Sequence, residues 1–197
     1  MVDPPLAIAG VSRPYPGETA NGDTWTAQWH GGVCRIAVID GLGHGPAAAV
    51  AAERARDLLA AHPALAPEEA LRACHQALHG TRGAVISIAR IDLETRQVIY
   101  AGVGNVEAQL WQGGRTQRLV AQRGIVGVTL PTPRPVAYAL EREWLLLLHT
   151  DGVSARFNVE RLREATSPTP QPLAAAVLAG WGRDTDDATV VVARPRV

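Results

Sequence analysis

Cysteine is scarce in this chain: 197 residues carry two, Cys34 and Cys74. They fall in a predicted strand and a predicted helix. A disulfide framework is therefore not expected, and two buried free thiols are. Charge of one sign is lacking as well. Nineteen basic and nineteen acidic side chains give a formal net charge of zero, and no long run of like charge occurs. The electrostatic footprint of a nucleic-acid binder or of a membrane-surface protein is absent. No apolar run approaches the ~18 residues of a membrane span, and no basic-then-apolar leader opens the chain. Repeats and low-complexity linkers are also missing. With 47% hydrophobic residues, the expectation is one domain over residues 1–197, soluble, cytoplasmic and monomeric.

What is present divides into blocks. The first residues read as short extended pieces around the turn-rich PYPGETANGD. TWTAQWH alternates as a half-buried strand does, and VCRIAVI is continuous enough for a strand buried on both faces. Pro46 suits the first turn of a helix that runs to about Ala61, and PEEALRACHQAL predicts a second helix. AVISIARID, QVIYAGVG, VEAQLWQ and TQRLVAQ then read as an antiparallel meander. WLLLLHTDG is another buried strand, NVERLREA and PLAAAVLAGW are helical, and DDATVVVARP closes with a strand. Helices grouped between blocks of strands indicate an α+β layered fold. Trp25, Trp29, Trp111 and Trp144 lie on predicted strands, where core or inter-sheet packing is expected.

The stretch VIDGLGHGPAAAV, Val38 to Val50, places glycines between a strand and a helix. A phosphate cradle or dinucleotide fingerprint has that order. Three features oppose it here. Pro46 stands where the last glycine should be, Asp40 would repel a pyrophosphate, and a second helix separates this unit from the next strand.

Asp40 is one of several such residues. Asp23 lies in NGDTW, Asp151 in HTDGV, and Asp186-Asp187 opens the last strand. Each sits at a strand edge beside glycine or another small residue. Any one of them alone is ordinary turn chemistry. Together they are carboxylates at the ends of buried strands, where desolvation and repulsion disfavour them unless a cation compensates. Mg²⁺ and Mn²⁺ prefer such oxygen ligands.

With these motifs in order, the sequence resembles the metal-dependent type 2C protein serine/threonine phosphatases, in their SpoIIE-like branch. Within that branch it is most similar to RsbX-like proteins. The matching segments are NGDTW, VIDGLGHG, CHQAL followed by TRGAVISI, GVGNV, LLHTDGV and DDATVVV, from about residue 20 to 193. The resemblance implies a four-layer αββα sandwich of two antiparallel sheets flanked by helices, with its site at one edge. It implies two Mn²⁺ or Mg²⁺ ions. Asp40 matches a bridging ligand, and Gly41 a backbone carbonyl donor. Asp151 and Asp186 match further ligands of one ion, and Asp23 an acidic position serving the other. Asp187, beside a ligand, is a weaker match.

The resemblance also implies direct attack of an activated water on phosphorus, without a phospho-enzyme. The implied partners are phosphorylated STAS-domain stressosome proteins, whose dephosphorylation resets a stress-response switch. A catalytically silent module that binds a phosphorylated partner is the alternative. Leu42 occupies the position where animal-type members often carry histidine, and His44 lies two residues on. His44 is a candidate catalytic acid, or else a polar residue making local hydrogen bonds near a helix start. Arg82 could meet the phosphate or simply be solvated. Asn105 could bind a water of the metal site or hold its turn. Neither Arg13 nor Arg35 aligns securely with the phosphate-gripping arginine of animal enzymes.

Overall fold

The apolar run before Asp40 forms a strand buried on both faces, and the layers follow from it. The computed structural model describes residues 5–165 and 169–196. In chain order the strands are β1 (Leu6–Arg13), β2 (Asp23–His30) and β3 (Val33–Gly41), followed by helices α1 (Pro46–Ala61) and α2 (Pro67–Ala77). Then come β4 (Ala84–Asp92), β5 (Gln97–Val103), β6 (Glu107–Gln112), β7 (Arg115–Leu119), β8 (Val136–Ala139) and β9 (Trp144–His149). Helices α3 (Val159–Ala165) and α4 (Pro170–Trp181) precede β10 (Ala188–Pro195).

Two five-stranded sheets result, ordered β2-β3-β4-β5-β8 and β1-β10-β9-β6-β7. Neighbouring strands in both are antiparallel. On β3, Cys34, Ile36 and Val38 face the other sheet and meet Leu110, Leu146, Leu148 and Val191. Ala37 and Ile39 point the other way, against Ala51, Ala52 and Ala55 of α1 and Leu71 of α2. Alanine along α1 leaves little side-chain bulk, which lets the helix lie close to its sheet. The second sheet carries α3 and α4 on its outer face through Leu147, Val190, Val192, Leu173 and Val177. Apolar side chains thus fill three interfaces, and the architecture is the αββα sandwich. Both cysteines are buried and free.

The expected meander is corrected in one respect. β4–β5 and β6–β7 are hairpins in different sheets, and the chain crosses between them at Gly104-Asn105. Alternation along the strands marks the two hairpins but carries no information on which sheet each one joins. The tryptophans divide as well. Trp25, Trp29 and Trp144 pack between the sheets. Trp111 faces the α3–α4 layer instead.

Arg35 is buried on β3 and reaches the end of α1. Its guanidinium donates to the carbonyls of Leu59 and His62. The last helical carbonyls lack intrahelical donors and carry partial negative charge, so a cation satisfies both needs there.

Candidate metal centre

Antiparallel pairing brings the acidic turns together. Asp23 opens β2 and Asp40 lies near the end of β3, where the two are direct cross-strand partners. Asp151 follows β9 and Asp186 precedes β10, and those strands are antiparallel neighbours in the other sheet. Each sheet therefore sends two carboxylates to the same end of the sandwich. A cavity of about 530 Å³ opens there, lined by Asp40, Asp151 and Asp186 with Leu42, Gly43 and Asn105.

Close backbone packing explains both Asp-Gly pairs. A Cβ on Gly41 would overlap the Ala48 carbonyl of α1, and a Cβ on Gly152 would overlap the Asp187 carbonyl. Only glycine allows these approaches. The same packing takes up two N–H groups of the loop. Gly41 N–H donates to the Gly22 carbonyl at 2.9 Å, and Leu42 N–H to that of Gly83 at 3.0 Å. These donors are committed to the protein and are not a phosphate cradle.

The electrostatics follow from burial and crowding. Burial pushes the Asp40 carboxyl up to about 9, and the charges of Asp23, Asp151, Asp186 and Asp187 add to the rise. Burial also raises Asp23, to about 7, against a hydrogen bond from Thr150 that lowers it. Asp151 is raised as well, by burial first and by Asp186 second. The charge of Arg183 lowers Asp151 in part, but burial and the neighbouring acids outweigh it.

Among the described residues, no three His, Cys, Asp or Glu side chains form a group that would hold an ion by themselves. Mg²⁺ does not require one, because it keeps several waters and takes few carboxylates. An oxygen-only donor set, mutual repulsion among the acids and a cavity open to water fit a hard divalent cation. Asp187 adds a buried Oδ2 with no hydrogen-bond partner.

Several supporting residues carry little sequence signal. Thr150 Oγ1 donates to Asp23 Oδ2 at 2.6 Å and accepts from Thr189 N–H at 2.9 Å, linking the two sheets beside the acids. Asp187 Oδ1 accepts Tyr15 N–H at 2.8 Å and so ties the N-terminal loop to the site. Asn105 Nδ2 donates to Asp151 Oδ2 at 2.6 Å.

His44 is placed differently from the other candidates. Its exposed ring stacks on Tyr15 at 4.4 Å, and Nδ1 lies 3.2 Å from Glu18 Oε1. It is not among the residues lining the cavity. Arg82 is exposed, with Nη1 packed against Gly43. Arg13 is engaged with Asp184 and the Arg183 carbonyl, and Arg35 with α1, so neither reaches the acids.

The profile of stage II sporulation protein E (SpoIIE) matches residues 30–196. The chain belongs to the SpoIIE family. Within it, the chain is 34% identical over 119 residues to the phosphoserine phosphatase RsbX of Bacillus subtilis (strain 168). That match spans 60% of each protein. A solved structure described under the bacterial stressosome as a system adapted to control secondary messenger signalling aligns with a TM-score of 0.90 and 31% identity. The alignment covers 96% of this chain and 99% of that one. RsbX in complex with magnesium aligns with a TM-score of 0.86 at 22% identity, over 97% of this chain and 96% of the other. The PP2C phosphatase domain of B. subtilis SpoIIE with a fragment of its regulatory domain aligns with a TM-score of 0.80 at 20% identity, over 96% of this chain and 63% of the other. These two likenesses establish the type 2C phosphatase fold. Among the described residues, no helix is long and apolar enough to cross a membrane.

Proposed function

We propose that this SpoIIE-family chain is a divalent-cation-dependent phosphatase acting on phosphoserine and phosphothreonine of STAS-domain stressosome proteins, resetting a stress-response switch. The observation that carries the reading is the convergence of Asp40, Asp151 and Asp186 on one open cavity, with Asp23 paired to Asp40 across the strands. The kinship with a phosphoserine phosphatase and the likeness to a stressosome-associated structure support the choice of substrate.

Asp40, Asp151 and Asp186 would hold one ion, and Asp40, the Gly41 carbonyl and Asp23 the other. Bound Mg²⁺ or Mn²⁺ supplies Lewis acidity, making water a competent nucleophile at neutral pH and offsetting charge on the phosphoryl oxygens. The protein's part is to fix the acids. Thr150 holds the Asp23 carboxylate, Asn105 holds that of Asp151, and Gly41 and Gly152 let the backbone close around them. Fixed polar groups need no rearrangement as charge develops, which is where catalytic stabilisation arises.

Hydrolysis of an aryl phosphate and of a phosphoserine peptide, with Mg²⁺ or Mn²⁺ and with chelator, tests the reading. Turnover with metal and its loss in chelator is expected. Undiminished turnover in chelator would sink it. Phosphoprotein binding with no turnover in any metal would establish the silent module instead.

The contacts of His44 with Tyr15 and Glu18 suit a residue that orders the N-terminal loop. His44→Ala is expected to keep kcat within about threefold, whereas removal of a general acid costs ~10²-fold or more. A pH–rate profile that lost its upper limb in the variant would restore His44 as the acid.

A further inference from the structure

The cavity that gathers the acids has one cation among its described lining residues, Arg123. It lies in the connection between β7 and β8, residues 120–135, a stretch with no helix or strand of its own among the named elements. Isolated pairings nevertheless pin that connection on both sides of Arg123. Before it, Gln122 N–H donates to the Gly102 carbonyl, and Gly104 N–H to the Gln122 carbonyl, each at 2.8 Å. The Gln122 side chain is used too, accepting from Arg134 N–H at 2.8 Å and donating to the Thr132 carbonyl at 3.1 Å. After it, Val126 and Ala84 exchange both backbone hydrogen bonds, at 2.8 and 3.0 Å. Gly127 N–H then donates to His75 Nδ1 of α2 at 2.9 Å. Arg123 thus stands on a short span fixed at both ends.

Its side chain is exposed and has no ion pair or hydrogen bond to any described residue. Several other arginines are committed, while Arg82, exposed beside Gly43, is not among the residues that line the cavity. Arg13 meets Asp184, Arg35 caps α1, Arg56 meets Asp57 and Arg118 meets Glu107. The chain contains no lysine, so recognition of an anion by a side-chain cation falls to arginine. A free guanidinium on the wall of a cavity shared with three carboxylates has a specific use. Its planar fork matches two oxygens of a phosphoryl group, and it is the positive side chain in a lining that otherwise carries carboxylates.

We propose that Arg123 is the phosphate-binding residue of this site, gripping the phosphoryl group of the substrate monoester from the β7–β8 connection. The proposal rests on the phosphatase reading and names its missing anion anchor. Arg123 takes no proton and forms no bond to phosphorus; it positions the group and holds its non-bridging oxygens.

Two measurements on the full chain in Mg²⁺ test it: calorimetric titration with inorganic phosphate, and steady-state kinetics on a phosphoserine peptide. Arg123→Ala is expected to weaken phosphate binding by ~10- to 100-fold, the loss of a charge-assisted pair, and to raise KM by a similar factor with a smaller change in kcat. Arg123→Lys should recover part of both. Mg²⁺ affinity, followed by thermal shift, should not change, nor should any value for Arg56→Ala on α1. Phosphate affinity in Arg123→Ala equal to wild type overturns the proposal, as does a wild-type protein that binds no phosphate in Mg²⁺. Arg123-dependent phosphate binding without peptide turnover upholds Arg123 and overturns the phosphatase reading instead.

Discussion

Asp40→Asn is expected to lower phosphate release from a phosphoserine peptide by at least ~10³-fold while leaving a folded protein. The substitution keeps the shape of a half-buried side chain at the end of β3 and removes its ability to carry charge. Asp40 is the acid most strongly disfavoured by its surroundings, pushed up to about 9 by burial and then by its four acidic neighbours. Its amide replacement should therefore raise the melting temperature of the metal-free protein at pH 8, even as activity disappears. That opposite movement separates a lost ligand from a lost fold. Near-wild-type turnover in Asp40→Asn would remove Asp40 from the site. A lower melting temperature would show that its carboxylate already has a compensating partner without metal.

The second large effect is the pH dependence of stability with and without cation. In the metal-free protein the folded-state values of Asp40 and Asp23, about 9 and about 7, lie above the ordinary carboxylate value of 3.8. The folded state then binds more protons than the unfolded state between these limits. Stability must fall as pH rises, beginning near pH 4 and ending only as Asp40 finishes ionising near pH 9. In chelator a loss of at least ~5 °C in melting temperature between pH 6 and pH 8.5 is expected for a chain of this size. Binding a divalent cation requires the ionised acids and expels their protons, so Mg²⁺ should stabilise more at pH 8.5 than at pH 6. Thermal scans at fixed Mg²⁺ across this range provide the check. A metal-induced shift that is equal at both ends would mean that these acids are not the ligands.

The sequence and the structure agree most closely where one residue type answers one physical need. The run RIAVI predicted a strand buried on both faces, and β3 is one. Pro46 and Pro67 opened the helices they were expected to open. The acids were legible because four strand-end carboxylates in one chain are costly without a common purpose. Their supports were less legible. Nothing local distinguishes Thr150 from any buried threonine until Asp23, 127 residues away, is seen to accept its hydrogen bond. Arg123 has no motif around it, and only the fold brings its connection to the cavity. His44 drew attention through its neighbours in sequence, but the turn after Asp40 aims it at Tyr15 and Glu18. The GVGNV crossing was read as a turn within one meander because strand alternation is the same whichever sheet a hairpin joins.

That crossing and the division of the acids have a mechanical consequence. Asp23 and Asp40 belong to one sheet, and Asp151 and Asp186 to the other. Between the sheets lie apolar contacts such as Ile36, Val38, Leu146 and Leu148, which carry no directional bonds. A cation held by both halves would act as a rivet through the two plates, beside the Thr150–Asp23 hydrogen bond that already joins them. The spacing of the sheets then sets how well the acids close on it, and residues deep between the sheets govern the fit of a site they never touch.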